Sequence, residues 1–226
     1  MDEKLRAKDV YSEAFYRGRC VGFAELHLTF KEGKKVILGT DDTWQTSMSP
    51  IEISSVFDGE QYDARREQTG WSLPGFDTNG WKNAYLAKEP LGKLVYSYTP
   101  AIRVVEERKP VKIWKQKDSW IVDFGQNFTG WVRLSMDEKE GTVIKFRHGE
   151  VLYPDGSLNV ENLRFAKATD LYTCKGKEEC YEPRFTYHGF RYAEITGITG
   201  ELKAEQIIGK VVHTDNQEIS EFSCSD

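Results

Sequence analysis

The sequence predicts an all-β protein built from two β-sandwich units. Apolar and polar residues alternate with a period of two over short stretches, as expected for strands with one buried face. The 19 glycines and seven prolines of the chain separate these stretches, and no stretch carries a sustained helical stripe of apolar residues. Short, aromatic-rich strands between glycine turns are typical of sandwich architecture.

The first clear strand signal is a β-hairpin. In residues 23–30, FAELHLTF, alternate positions are apolar, and KEGKK provides a turn before VILG returns. This pattern places His27 on the polar face of its strand.

The stretch WIVDFGQNFTGWVRL, residues 120–134, contains three motifs. Its Asp-Phe-Gly lacks the glycine-rich loop, the strand lysine and the His-Arg-Asp loop of a kinase. Its sequon at Asn127 matters only in a secretory pathway. We therefore predict two strands, WIVDFG and WVRLSM, joined by a tight QNFTG connection in which Gly125 and Gly130 supply unusual backbone angles.

Further strands are predicted at TVIKFRHG, DLYTC, RFTYHGFRYAEIT, IIGKVVHT and SEFSC, and single helical turns at KNAYLA and LKAEQI. The segment 89–100 follows a turn-rich region and precedes a fresh set of strands. The predicted domains are therefore residues 1–92 and 93–226.

Composition excludes several classes of partner. The net charge of −5 has the wrong sign for a phosphate-binding surface, so nucleic acid is not an expected partner. No uncharged apolar run approaches membrane-spanning length, so a membrane is not an expected partner either. The first residues are too highly charged to be a secretory signal.

Four cysteines, at positions 20, 174, 180 and 224, show no metal-binding spacing, and no metal ligand set is predicted. Cys174 and Cys180 flank KGKEE, a polar tip that is typical of a hairpin loop. A disulfide between them would need matched Cβ positions, and two reduced thiols are the expected state.

Spacing alone assigns no catalytic group. A glycosidase needs two carboxyl groups at a defined separation across a cleft. Glu150, Asp155, Glu161 and Asp170 lie in one region, but nothing fixes a pair. His188 is expected to be a hydrogen-bonded structural imidazole, because no nucleophile motif accompanies it.

The candidate sugar-binding residues are Arg147, His148, Glu150, Asn162 and Arg164. They lie near strand ends, and carbohydrate recognition uses charged and amide groups around hydroxyls. The alternative interpretation is a solvated strand end with no ligand. Most of the Trp and Tyr rings are expected to pack in or over the core rather than to stack on sugars.

Several long motifs occur in a fixed order: SSVFDGEQYDARRE, GWSLPGFDTNGWKNA, DFGQNFTGWVRL, RHGEVLYPDGSLNVENLRFAKATDLYTCKG and YEPRFTYHGFRYAEITG. Together they resemble bacterial α-L-rhamnosidases of glycoside hydrolase family 78, which are inverting glycosidases. The resemblance spans nearly the whole chain. It implies a jelly-roll-like N-terminal sandwich, lacking its first strands, followed by a concanavalin-like sandwich.

The resemblance also implies that the catalytic acid and base of the family lie in a helical barrel beyond this region, so no catalytic residue is assigned. The implied function is a noncatalytic region that supports the catalytic helical barrel and helps to hold rhamnose-containing glycans. The location stays open: for a bacterial chain without a secretory signal, either the cytoplasm or the periplasm is expected.

Two alternatives stay open. An autonomous, calcium-assisted carbohydrate-binding module would show exposed coplanar aromatic rings or an acidic calcium cluster, and calcium is the one cofactor that any of these interpretations allows. A self-contained hydrolase would need two carboxyl groups facing one cleft. Unpaired strand edges in an incomplete first sandwich also predict a homo-oligomer, most simply a two-fold dimer.

Overall fold

The computed structural model describes residues 21–87, 95–217 and 219–225. The regular structure in these ranges consists of strands and three short 3₁₀-helices, which confirms the predicted all-β class. No helix within them is long and apolar enough to cross a membrane.

Sixteen strands occur along the described part of the chain. In order they are β1 (Glu25–Thr29), β2 (Lys35–Gly39), β3 (Gln45–Thr46), β4 (Ile51–Ser55), β5 (Gly59–Asp63), β6 (Lys82–Asn83), β7 (Ile102–Arg108), β8 (Lys112–Gln116), β9 (Ser119–Asp137), β10 (Val143–Gly149), β11 (Val151–Leu152), β12 (Leu158–Asn159), β13 (Thr169–Thr173), β14 (Glu178–Tyr181), β15 (His188–Thr196) and β16 (Ile207–Thr214).

The chain divides into two compact units. The smaller lies within Met1–Met48 and Gln68–Tyr96, and the larger within Ser49–Glu67 and Ser97–Asp226. Strands β4 and β5 thus belong to the larger unit by their contacts, although a boundary near residue 92 groups them with the first domain. The domain boundary itself stays a prediction.

The smaller unit contains two pairs of strands. β1 pairs antiparallel with β2, with Glu25 opposite Gly39, which confirms the predicted hairpin. His27 lies on an exposed face, where its Nε2 is 2.9 Å from Glu25 Oε2. β3 pairs with β6, so the first residues of KNAYLA form a short strand instead of the predicted helical turn.

The larger unit is built on one ten-stranded sheet. Its hydrogen-bonded path runs β4-β5-β13-β10-β15-β9-β16-β7, and β8 and β14 also pair with β9. β9 is therefore the central strand, because four other strands use it as a partner. Strands β11 and β12 form a separate short hairpin, in which Leu152 lies opposite Leu158.

The prediction of two strands within WIVDFGQNFTGWVRL is wrong. β9 continues for 19 residues through the predicted connection. β15 pairs with the residues before that connection, with Glu194 opposite Ile121, and with the connection itself, with Gly189 opposite Thr129. Gly125 has a φ of 80° and supplies a local bend. A Cβ at Gly130 would lie 1.8 Å from the Lys210 oxygen, so this glycine allows close approach of β16.

Strands that follow one another in the sequence do not always pair with each other in the sheet. β10 forms at the predicted TVIKFRHG but pairs with β13 and β15. β13 and β14 flank KGKEE, yet β13 pairs with β10 and β5 while β14 pairs with β9. SEFSC contains no strand. Long-range partners decide these pairings, and turn signals do not report them.

The segment that carries β4 and β5 joins the sheet through a parallel contact. β5 pairs with β13, with Gln61 opposite Leu171 and Tyr62 opposite Tyr172. The two tyrosine rings stack with centroids 5.6 Å apart. Residues separated by more than 100 positions in the sequence thus lie side by side.

Aromatic rings fill much of the core. Phe124, Phe128 and Phe190 form a mutual cluster with centroid distances of 4.5 to 5.8 Å, a spacing that favours edge-on or tilted ring pairs. Phe185, in contrast, has an exposed fraction of 72%.

The cysteines in this unit agree with the expected reduced state. Cys174 and Cys180 are free thiols, with Cys174 buried and Cys180 exposed. Cys174 Sγ lies 3.9 Å from Met136 Sδ, and burial raises the pKa of this thiol to about 11. Such a thiol is unreactive at neutral pH, because the thiolate is the nucleophile.

Candidate functional site

The candidate site is a polar cluster on the surface of the larger unit. The Glu150 carboxylate accepts a hydrogen bond from Asn127 Nδ2 at 2.9 Å and another from Asn162 Nδ2 at 2.7 Å. Both asparagines are exposed and Glu150 is partly exposed. We call these three residues the Glu150 cluster.

Three separate parts of the chain build this cluster. Asn127 lies on the exposed stretch of β9, Glu150 joins β10 to β11, and Asn162 lies in the 3₁₀-helix Glu161–Leu163. Each asparagine side chain keeps a further N–H and a carbonyl oxygen, so the cluster offers donors and acceptors on a fixed frame. Such groups can bind sugar hydroxyls.

The loop beside the cluster is also held by hydrogen bonds. Tyr153 Oη donates to Glu161 Oε1 at 2.8 Å. Ser157 donates to Asp155 through both its backbone N–H and its hydroxyl, and these bonds lower the pKa of Asp155. The polar cluster therefore rests on an ordered turn.

The other three sugar-binding candidates are not among the residues that hydrogen-bond to Glu150. Arg147 is ion-paired with Glu194, with Nη1 3.7 Å from Oε2. His148 is fully buried. Arg164 is exposed and ends the 3₁₀-helix with a φ of 55°. The structure thus brings together Glu150 and Asn162 from the sequence-based set, and it buries His148.

His148 belongs to a buried polar network. Its Nδ1 donates to the Ala168 carbonyl at 3.0 Å, while its buried Nε2 has no hydrogen-bond partner among the described residues. Burial, with His188 nearby, lowers the pKa of His148 to about 3. The ring is therefore neutral at physiological pH.

His188 and Asp170 form the centre of this network. His188 Nε2 lies 3.1 Å from both carboxylate oxygens of Asp170, and both side chains are 1% exposed. Burial opposes ionisation of Asp170, but the hydrogen bonds from His188 and from the Glu60 backbone hold its pKa below the ordinary value. The structural role expected for His188 is confirmed.

Glu60 ties the β4–β5 segment to this network. Its backbone N–H donates to Asp170 Oδ1 at 2.8 Å. Its fully buried carboxyl group accepts bonds of 3.1 Å from Tyr181 Oη and from the Arg184 backbone N–H. Burial raises the pKa of Glu60 despite these bonds.

The histidine network is the group of described side chains that comes nearest to a metal site. One ligand atom each from His148, Asp170 and His188 lies within 4.8 Å of the others. The two imidazole rings, however, stack at 4.2 Å with planes 20° apart. In-plane lone pairs of two nearly parallel rings cannot both point at one ion, so the arrangement fits a hydrogen-bonded network and not a ligand set.

The four carboxyl groups considered for catalysis have structural partners. Glu150 is held by two asparagines, Asp155 by Ser157, Glu161 by Tyr153 and Asp170 by His188. Asp170 is also buried, away from any substrate. These contacts account for the acidic residues of this region without acid–base chemistry.

Sequence reasoning missed two residues of these sites, Asn127 and Glu60. In the sequence Asn127 stands out only as part of a sequon, and its partner Glu150 lies 23 positions away. Glu60 bonds Tyr181 across 121 positions. No local spacing signals either contact, because both depend on strand order in the folded sheet.

Comparison with known families matches both halves of the chain. Residues 3–106 match the model described as the α-L-rhamnosidase N-terminal domain. Residues 114–213 match the bacterial α-L-rhamnosidase concanavalin-like domain. The matched regions contain the Glu150 cluster and the buried histidine network.

Individual relatives agree with these matches. An α-L-rhamnosidase of Streptomyces avermitilis is 38% identical over 210 residues, which is 92% of this chain and 20% of that protein. The solved α-L-rhamnosidase of Dictyoglumus thermophilum superimposes with a TM-score of 0.87 at 43% identity, over 89% of this chain and 23% of its own.

A second solved structure, S. avermitilis α-L-rhamnosidase complexed with L-rhamnose, gives a TM-score of 0.83 at 38% identity and covers 85% of this chain and 19% of its own. The chain thus spans about a fifth of the length of the curated relatives that it matches. It belongs to the bacterial α-L-rhamnosidase family and corresponds to the N-terminal and concanavalin-like β-sandwich domains of that family.

Proposed function

We propose that this chain is a noncatalytic region of an α-L-rhamnosidase that supports the catalytic helical barrel and helps to hold rhamnose-containing glycans. The observation that carries the proposal is the match of two consecutive noncatalytic domains of the family over residues 3–106 and 114–213. The proposed partner is the barrel of the same enzyme. Homo-oligomer formation stays a prediction.

The Glu150 cluster supports the glycan-holding part of the proposal. A carboxylate with two amide groups on an ordered turn can accept and donate hydrogen bonds to sugar hydroxyls. A relative with the same fold has been solved in complex with L-rhamnose. The binding expected at one exposed polar cluster is weak, because water competes for the same hydrogen bonds.

We expect a polypeptide of residues 1–226 to release no rhamnose from aryl rhamnosides or flavonoid glycosides. The carboxyl groups near the Glu150 cluster are engaged in structural hydrogen bonds, and a glycosidase needs an acid and a base across one cleft. A chromogenic rhamnoside assay measures this directly. Turnover that disappears in Glu150→Gln or Asp155→Asn would contradict the noncatalytic assignment.

We expect L-rhamnose to bind at millimolar concentration and to shift the side-chain amide resonances of Asn127 and Asn162. Glu150→Gln removes the charge that orders both amides, so the affinity should fall by about tenfold, since a hydrogen bond to a charged group contributes roughly 1.5–3 kcal/mol. A chemical-shift titration of the isotope-labelled chain measures both effects.

Glu201→Gln is a matched control for this titration, because Glu201 is exposed and lies outside the cluster. Repeating the titration with calcium and with a chelator tests the calcium-assisted alternative, since carboxylate and amide oxygens are calcium ligands. An unchanged affinity in Glu150→Gln would remove the cluster from the proposal. Rhamnose binding that depends on calcium would favour the alternative of an autonomous, calcium-assisted carbohydrate-binding module.

A further inference from the structure

The larger unit contains an open cleft of about 550 Å³ that shares no residue with the Glu150 cluster. β5 and β13 contribute Tyr62 and Tyr172 to its lining, and β9 and β16 contribute Trp131 and Lys210. The volume falls in the roughly 300–1,000 Å³ range of small-molecule sites. A disaccharide is small enough to fit a site of this volume.

Five aromatic residues contribute to the lining of this cleft. Tyr62, Tyr172 and Tyr181 contact one another with centroid distances of 4.5 to 5.8 Å. Trp131 is partly exposed, and Phe185 is 72% exposed. The rings of Phe185 and Trp131 offer apolar faces, which suit the C–H face of a sugar ring.

The acidic groups of the cleft are already oriented by neighbours. Glu182 Oε2 accepts a hydrogen bond from Trp131 Nε1 at 2.7 Å. Glu67 accepts a bond of 2.9 Å from Tyr62 Oη and forms an ion pair with Lys175. Each carboxylate therefore presents acceptor sites in a fixed direction.

The cation Lys210 is also paired, with Glu107. A ligand rich in hydroxyl groups can add hydrogen bonds to these residues without breaking the pairs, and the exposed guanidinium of Arg184, which also lines the cleft, offers further N–H donors. The combination of exposed rings, oriented carboxylates and guanidinium donors therefore suits a compound rich in hydroxyl groups.

We propose that this cleft, the Trp131 cleft, is a subsite for a neutral oligosaccharide, with Trp131 and Phe185 stacking on a sugar ring and Glu182 accepting a hydroxyl. The sugar class rests on the proposed function, which makes a rhamnose-containing oligosaccharide the expected ligand. The position of the subsite rests on the geometry of the cleft alone.

A titration with rutinose, a rhamnose-glucose disaccharide, tests the proposal. We expect the indole N–H resonance of Trp131, assigned with Trp131→Phe, to shift and saturate at millimolar sugar. Phe185→Ala should weaken binding about fivefold, in line with a stacked ring pair. Phe185 is exposed, so this change should leave the fold intact. Phe222→Ala is the matched control, because Phe222 is 89% exposed and outside the cleft.

The outcomes separate this proposal from the one above. Shifts confined to Asn127 and Asn162 would overturn the Trp131 cleft and leave the Glu150 cluster in place. Saturable shifts at Trp131 that Phe185→Ala weakens would support the cleft, whatever the effect of Glu150→Gln. No shift at Trp131, or equal affinity in Phe185→Ala and Phe222→Ala, would overturn it. The noncatalytic assignment depends on the turnover assay and is unaffected by any of these results.

Discussion

Gly59→Ala is expected to lower the free energy of unfolding of the larger unit by more than about 3 kcal/mol. Gly59 has a φ of +103°, and an added Cβ would lie 2.2 Å from the Thr169 oxygen and 2.7 Å from Asp170 Oδ1. Both neighbours are held by the sheet, so neither can move aside cheaply. The clash would displace the β4–β5 hairpin from β13.

The backbone around this glycine shows what would be lost. Thr169 donates its backbone N–H to Asp58 at 3.0 Å, and Ala168 donates to Phe57 at the same distance. At the next position after Gly59, the Glu60 backbone N–H donates to the Asp170 carboxylate. Displacing the hairpin therefore removes these three hydrogen bonds together and leaves the buried Asp170 carboxylate without the Glu60 N–H.

Gly200→Ala is the matched control in the same unit. Gly200 has a φ of +88° but no atom within 4 Å of an added Cβ, so its cost is that of the left-handed conformation alone, roughly 1–2 kcal/mol. Urea unfolding followed by tryptophan fluorescence gives both values. Equal costs at the two positions would show that the hairpin does not depend on its close approach to β13.

The sequence predicts best those features that neighbours in the chain determine. The β1–β2 hairpin follows from alternation in FAELHLTF and a KEGKK turn, and the structure has it as predicted. The Pro-Asp-Gly of YPDGSLN is a local turn signal of the same kind, and this segment joins β11 to β12. Local alternation and local turn chemistry agree in these places, so the pattern is sufficient.

The sequence fails where distant partners decide the structure. A glycine-bracketed QNFTG has the composition of a turn, but β15 holds it as the middle of a long strand. The parallel contact between β5 and β13 has no local signal, since strand pairing across more than 100 residues depends on the whole topology. Candidate sites are equally hard to predict from sequence, because the strand topology also decides which side chains come into contact.

The candidate residues illustrate the same division. Glu150 and Asn162 are polar groups near predicted strand ends, and they are hydrogen-bonded to each other on the surface. His148 fits the same pattern, but alternation along β10 turns its side chain toward the core. Asn127 completes the cluster from a strand that the sequence pattern divided in two.

Burial of His148 has a large expected effect on the pH dependence of stability. The pKa of this imidazole is lowered from 6.5 to about 3 by burial and by His188. Below about pH 6.5 the unfolded chain therefore takes up a proton at this position that the folded chain does not. The free energy of unfolding should fall by about 1.4 kcal/mol per pH unit as the pH is lowered from 6.5 towards 3.

The groups around His148 act in other pH windows or with the opposite sign. The lowered pKa of Asp170 stabilises the fold above its ordinary value of 3.8, and that contribution is lost as the pH falls through the still lower folded value. The raised pKa of Glu60 gives a contribution that is lost as the pH rises above 4.5. Between pH 6.5 and 5, His148 should therefore account for about 2 kcal/mol of lost stability, partly offset by Glu60.

A variant that cannot titrate isolates this contribution. His148→Gln can keep a donor to the Ala168 carbonyl but carries no ionisable group, so its stability should depend less on pH between 6.5 and 5, by about 2 kcal/mol over that range. Urea unfolding at half-unit pH intervals measures the difference. His213→Gln is the control, because His213 is exposed on β16 of the same unit. If His148→Gln and His213→Gln show the same pH dependence as the parent chain, the folded His148 takes up its proton as readily as the unfolded one, and the buried neutral imidazole is excluded.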